Sequence, residues 1–196
     1  NEVDIVAKGW NTKTENIYSC YFPFNYDNKD SRAIPFSLVG QYQENKDDHS
    51  HLKDYTLLVS SPVKDESGKG FFFFDTKEIS ATLRLKVRVP DIEATYTKFE
   101  LYLPNREFTV EGTVNLFSNV GENRITPTVT SHTLALDLNN FSVSSSDERL
   151  TLFLRLSPIS LANEELHYRL YTSDGKLFDK VFNPFLFTFQ YIIELN

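Results

Sequence analysis

The sequence predicts an all-β protein: two β-sandwich lobes of antiparallel sheets with little or no helix. Three observations carry that prediction. Apolar residues recur at every second position in run after run, which is the pattern of a strand with one buried face. Prolines and Gly/Asp/Asn clusters punctuate the runs at short spacing, as in a sandwich. No stretch of about 11 residues holds convincing helical spacing.

Taken in chain order, the N-terminal part is crowded with aromatics: Tyr18, Tyr21, Phe22, Phe24 and Tyr26. A stretch from Glu44 to Asp54 is almost wholly polar and reads as a solvated loop. Asp65 to Gly70 separates two runs, and the unbroken Phe71–Phe74 run that follows is expected to be buried on both faces. Ala81, Leu83, Leu85, Val87 and Val89 alternate with Thr82, Arg84, Lys86 and Arg88, giving one buried face and one wet, basic face. Phe99, Leu101 and Leu103 alternate with Lys98, Glu100 and Tyr102. Leu150, Leu152, Leu154 and Leu156 alternate with Thr151, Phe153 and Arg155. One helical turn is all that Leu161 to Leu166 could hold, after which Leu166, Tyr168 and Leu170 alternate with His167, Arg169 and Tyr171. Ser173-Asp174-Gly175-Lys176 reads as a hairpin turn, because Gly accepts positive φ without steric cost.

Pro90, Pro104, Pro127, Pro158 and Pro184 are expected at the ends of runs, where a missing N–H breaks no ladder. The chain closes with Phe185, Phe187, Phe189, Tyr191, Ile193 and Leu195 on one face. Unpaired in water such a strand is an aggregation hazard, so it is predicted to close the C-terminal lobe within its own chain, as in a cap, tip or accessory subunit. The expected core includes Leu83, Leu85, Leu101, Leu152, Leu154 and Phe187. A polar segment, Ser118 to Asn123, suggests the boundary between the lobes: an N-terminal β-sandwich over 1–122 and a C-terminal one over 123–196.

Composition narrows the function. With 20 basic and 27 acidic residues the formal charge is −7, which disfavours a dedicated nucleic-acid binder. No run approaches the roughly 18 apolar residues of a membrane span. A single cysteine, Cys20, excludes an internal disulfide and a zinc cage. There is no Met among the 196 residues, so the chain is expected to be a processed or trimmed fragment. The preceding piece is expected to hold a signal peptide, a lipid-anchor site or the first strand of the fold.

The search for chemistry returns little. Asp47-Asp48-His49-Ser50-His51 sets two imidazoles two residues apart beside two carboxylates, a metal-ligating pattern if a strand shows both on one face. A solvated loop explains the same residues, and that reading is preferred. His167, pointing away from the Leu166/Leu170 face, reads as a surface residue. No Gly-x-Ser-x-Gly elbow and no phosphate-cradling loop occurs. Cys20 has no basic residue within five positions to lower its pKa, so it reads as a small strand residue. Asp147-Glu148 and Glu164-Glu165 lie in turns, where adjacency does not give the facing geometry of a glycosidase pair. The aromatics could form a sugar-binding platform, but core packing accounts for them more simply, and Trp10 stands alone. The expectation is therefore no catalytic residue, no cofactor-binding residue, no metal ligand and no enzymatic activity.

Four segments, in order, resemble the fimbrillin-like proteins of Bacteroidales, the subunits of type V pili. Tyr18-Ser19-Cys20-Tyr21-Phe22-Pro23-Phe24-Asn25 looks like that family's aromatic strand. Leu38-Val39-Gly40-Gln41-Tyr42-Gln43, followed by Leu52-Lys53-Asp54-Tyr55, is similar to its Gly-Gln-x-Gln and Leu-x-Asp-Tyr pattern. Phe72-Phe73-Phe74 running into Ser80-Ala81-Thr82-Leu83-Arg84-Leu85 resembles its next strand. Leu152 to Pro158, Leu166 and Ser173-Asp174-Gly175 resemble its late hairpin. The resemblance implies transthyretin-like sandwiches, export through a lipoprotein precursor and assembly by strand exchange. A sandwich missing a strand leaves an apolar groove that a neighbour's extended segment fills. The function it implies is a cell-surface pilus (fimbrial) subunit or fimbrillin-like adhesin, outside the cell, at the outer membrane or in a fimbrium. Its partners would be other pilin subunits or host or bacterial surface ligands, not nucleic acid. Membrane contact would come only through a lipid anchor on a preceding segment. The alternative is a carbohydrate-binding surface lipoprotein module.

Overall fold

A computed structural model describes residues 17–64, 73–118, 124–146, 148–161, 164–182 and 192–195. Among these the strands run β1 (Ile17–Tyr18), β2 (Tyr21–Phe22), β3 (Ile34–Ser37), β4 (Gln41–Gln43), β5 (Leu58–Ser60), β6 (Val63–Lys64), β7 (Thr76–Glu78) and β8 (Ala81–Arg88). They continue with β9 (Tyr96–Tyr102), β10 (Phe108–Val114), β11 (Ile125–Ser131), β12 (Thr133–Phe141), β13 (Arg149–Leu156), β14 (Leu166–Thr172), β15 (Leu177–Phe182) and β16 (Ile192–Leu195). One 3-10 helix, Ser50–Tyr55, stands between β4 and β5. The molecule is all-β, as the alternation predicts. No helix among the described residues is long and apolar enough to cross a membrane.

The larger core lies between a five-stranded sheet, ordered β15-β14-β9-β12-β4, and a three-stranded sheet, β13-β8-β16. Alternation builds it directly. Leu83, Leu85 and Val87 of β8 and Leu150, Leu152 and Leu154 of β13 are all buried, in register across one antiparallel ladder. Phe99, Leu101, Leu134, Leu136, Leu166 and Leu170 meet them from the other sheet. Burial of each such side chain contributes about 1.5–3 kcal/mol. In β9 the period slips: Lys98 pairs with Tyr171 but Tyr96 with Thr172, an extra residue that turns both Tyr96 and Phe99 inward. Tyr96 then satisfies its hydroxyl at the core's rim, donating to Asp91 O (2.7 Å) and accepting from Asp91 N (3.2 Å). The Ser173–Lys176 turn forms as expected, with Gly175 at φ +85° closing β14 onto β15.

A smaller core of Ile34, Leu57, Val59, Val114 and Leu116 lies between the sheets β11-β10-β3 and β2-β5-β7. Strand β10 belongs to both cores: Phe108 and Val110 pack in the larger one, Val114 in the smaller. Gly112 lies between them, where an added Cβ would sit 2.7 Å from Thr126 O.

Several expectations change here. The two cores do not coincide with 1–122 and 123–196: β10 pairs with β11, and β9 with β12 and β14, across that point. On either side of that polar segment β10 and β11 are antiparallel neighbours, with Asn115 N bonded to Arg124 O; hairpin loops and linkers have the same composition. Two pairings are parallel, β4 with β12 and β16 with β8. Pro127 falls inside β11, an edge strand, rather than at its end. Leu161 is buried and its C=O accepts from Glu164 N (3.2 Å), while residues 162–163 lie outside the described ones; a short helix also occupies the polar Ser50–Tyr55 segment. Phe73 is 92% exposed, not buried, while Phe71 and Phe72 lie outside the described residues. Phe187, and all of the terminal run except 192–195, also lie outside them; that part pairs with β8 of the same chain.

Candidate functional site

Three surface regions collect the side chains that packing does not explain. The first is the N-terminal aromatic segment. Tyr21 is half-buried against the smaller core, and beyond it the chain passes a cis Phe22–Pro23 bond into a loop held by its own hydrogen bonds. Tyr21 Oη donates to Asn25 O (3.0 Å), and Asn25 Oδ1 accepts from Asp27 N (2.9 Å), an Asx turn. Lys29 Nζ donates to Tyr26 O (3.1 Å) and sits 4.3 Å from the centre of the Tyr26 ring. The loop presents Phe22, Phe24 and Tyr26, which are 62%, 70% and 78% exposed. Core packing therefore does not account for these aromatics. Cys20, beside them, is half-buried, and its N–H and C=O are both bonded to Ser60.

The second region is the outer edge of β13, next to the helix. In the three-stranded sheet β13 has no strand neighbour on that side among the described residues. Glutamine amides stand in for one. Gln41 Oε1 accepts from Arg155 N (2.7 Å) and its Nε2 donates to Arg155 O (2.8 Å). Gln43 Oε1 accepts from Phe153 N (3.0 Å) and its Nε2 donates to Thr151 O (3.0 Å). Both glutamines come from β4 in the opposite sheet and are fully buried. His51 Nε2 donates to the remaining carbonyl, Phe153 O (3.0 Å). Burial pushes the His51 pKa down, and this hydrogen bond only partly offsets it.

The Asp47–His51 residues thus find other roles. His49 packs its ring on Phe153, 5.4 Å between centroids, His51 seals the edge, and Asp48 binds Ser50 N and Oγ. Among the described residues no group of three or more His, Cys, Asp or Glu side chains gathers as a metal centre would need. Beside them Arg155, 9% exposed, pairs with Glu78 (2.6 Å) and donates to Thr82 Oγ1 (2.6 Å) and Thr56 Oγ1 (2.9 Å).

The third region is the solvent face of the five-stranded sheet. Arg169 stacks its guanidinium 3.7 Å from the centre of the Tyr102 ring and donates from Nε to Asp179 Oδ2 (2.7 Å). His167 donates from Nδ1 to Asp179 Oδ1 (2.7 Å) and from Nε2 to Glu165 Oε1 (2.9 Å). Its side chain is only 16% exposed, because this network covers it. Burial lowers the His167 pKa, and the bonds to Asp179 and Glu165 more than reverse that, leaving it above the ordinary histidine value. Glu100, buried on the same face, accepts from Tyr171 Oη (2.7 Å) and pairs with Lys98 (2.6 Å). The other acidic pairs are divided. Glu148 binds Lys46 and Ser144, which hold its carboxyl down at about 2, and Asp147 lies outside the described residues. Glu164 approaches Arg106 (3.8 Å) while Glu165 binds His167.

No protein-family profile matches the chain, and no curated protein matches it. Two solved structures from Bacteroides ovatus are similar. One is a candidate cell adhesion protein, 17% identical, with a TM-score of 0.48 over 85% of this chain and 56% of that one. The other is a candidate adhesin, 11% identical, with a TM-score of 0.41 over 89% of this chain and 62% of that one.

Sequence reasoning missed the glutamine lock and the Arg169 network. Both had a signal. Gln41 and Gln43 lie two apart, which puts both amides on one face of a strand, and His167, Arg169 and Tyr171 share the same period. Alternation gave their side of the sheet; it did not give their partners, which come from strands far away in sequence.

Proposed function

We propose that the chain is a cell-surface adhesion module, of the fimbrillin-like pilus-subunit kind, that works by protein–protein contact. The observation that carries this reading is the aromatic loop. Phe22, Phe24 and Tyr26 are held outward by a hydrogen-bonded turn, so their exposure is built rather than incidental. A large aromatic left in water forgoes about 1.5–3 kcal/mol of burial, which binding a partner would recover. Such side chains are the usual anchors of protein interfaces. The resembling segments add support: the Gly-Gln-x-Gln stretch is the glutamine lock, and the Asp174-Gly175 pair is the β14–β15 turn.

The test is adherence of the full chain, coupled to beads, to a surface coated with the same chain and to epithelial cells under flow. Changing Phe22, Phe24 and Tyr26 together to Ser should reduce retention by about tenfold or more while leaving the melting temperature in place. Full retention by that variant would overturn the reading. Binding confined to neutral glycans, and lost in the same variant, would favour the carbohydrate-binding alternative.

A further inference from the structure

Strands β8 and β13 carry Arg84, Lys86, Arg88, Arg149 and Arg155 and no carboxylate, on a chain whose formal charge is −7. Their register sets Arg84 opposite Phe153, Thr82 opposite Arg155, and Arg88 opposite Arg149. Only Arg88 and Arg149 are like charges directly opposed, an arrangement that costs stability; Arg155 is offset by Glu78, and Lys86 stands in register with Glu194 of β16. Beside the helix this face opens into a cleft of about 830 Å³, whose walls include Asp47, His49, Lys53, Arg84, Phe153 and Arg155. Pockets of roughly 300–1,000 Å³ are the size that small ligands occupy.

Two arginines on the walls differ in their partners. Arg155 is paired with Glu78. Arg84 forms no ion pair with any described residue; its guanidinium lies 5.8 Å from the Phe153 ring centre, and its Nε is buried without a hydrogen-bond partner. Arg155 Nε is likewise buried and unbonded. A planar guanidinium with donors to spare, next to an aromatic face and a lysine, matches an oxyanion carried on a ring with a C–H face.

We propose that this cleft binds the carboxylate or sulfate of an acidic saccharide. Arg84 forks onto the oxyanion, Lys53 adds charge at the mouth, and the Phe153 ring takes the apolar face of the sugar. The cleft is local and the chain is acidic overall, which favours a short acidic glycan over the extended phosphate backbone of a nucleic acid. The proposal rests on the adhesion reading for why a glycan would meet this chain, but the site is separate from the aromatic loop.

Isothermal titration of the full chain with three tetrasaccharides tests it: hyaluronan (carboxylate only), chondroitin 4-sulfate (carboxylate and sulfate) and neutral chitotetraose. Binding of either acidic tetrasaccharide, none of chitotetraose, and weakening with added salt are expected. The two acidic arms tell carboxylate from sulfate. Arg84→Gln should weaken that binding by about tenfold or more, and Lys53→Gln by less, with melting temperatures unchanged. Should Arg84→Gln fail to fold, Arg84→Lys keeps the charge but not the fork and should still lose most of the affinity. No binding of either acidic tetrasaccharide, equal binding of the neutral one, or an Arg84 variant with wild-type affinity would overturn the site. So would Arg84-dependent binding of a short DNA duplex without saccharide binding. Loss of the site with bead adherence intact leaves the adhesion reading standing, and lost adherence in the aromatic-loop variant with saccharide binding intact leaves the site standing.

Discussion

Among the described residues the larger core gathers twenty-three buried side chains and the smaller one five. Both rest on period-two alternation, yet they differ in how that alternation is supplied. The larger core is fed by strands of eight or nine residues such as β8, β12 and β13, whose aliphatic residues repeat three or four times on one face. The smaller core is assembled from strands of two to four residues, β2, β3, β5 and β7, plus the far end of β10. A two-residue strand has no period of its own. It is held by neighbours, and its flanking aromatics remain in water. The difference shows that strand length, more than residue type, decides which part of a sandwich is self-sufficient.

The most direct way to break the comparison is to damage each core in turn. Leu85→Asp places an unpaired charge at a fully buried point of the larger core and should cost more than about 4 kcal/mol in urea denaturation. Leu116→Ala in the smaller core should cost about 2–3 kcal/mol, the low end for a buried leucine, because its surroundings are only partly covered. Because β10 enters both cores, the Leu116 variant should still melt in one transition. A separate early transition would mean that the smaller core folds by itself.

A second prediction concerns how the larger core's edge is closed. Gln43→Ala removes the partners of Phe153 N and Thr151 O at once, and should cost about 1–3 kcal/mol. The exposed edge should also associate, so that sedimentation velocity shows a concentration-dependent dimer absent from the native chain. An unchanged melting temperature and a monomeric variant would show that the lock is incidental.

The smallest effects come from two histidines whose linkage runs in opposite directions. His51 is lowered in the folded state, so its contribution is complete above the unfolded value of about 6.5 and is lost as pH falls through it. His167 is raised, so its contribution is complete below about 6.5 and is lost as pH rises through the folded value. His167→Gln should therefore lower the melting temperature more at about pH 5 than at about pH 8, and His51→Gln should soften the acid-side loss. The same pH trend in both variants would contradict the assignment.

How much of this was legible depends on the same contrast. Leu83, Leu85, Leu101, Leu152 and Leu154 are buried where their alternation puts them, and Gly175 turns the hairpin it marks. Phe73 and the Phe22–Tyr26 segment were misread because aromatic richness has one composition whether the rings face a core or a partner. Sequence order does not reveal that the pairings cross residue 122, with β9 pairing forward with β12 and β14 while β10 pairs with both β3 and β11. The cation-bearing face of β8 was read correctly, but Phe153 and the helix that complete its cleft come from elsewhere in the chain.

The glutamine lock also gives the three-stranded sheet a valence. With Thr151 O and the outward N–H and C=O of Phe153 and Arg155 held by side chains, a further strand would have to displace five hydrogen bonds to pair there. Any extension has to come from the β8 side, where Ile192–Leu195 already lies parallel to it. A parallel neighbour cannot be delivered by a tight hairpin and has to arrive from a distance.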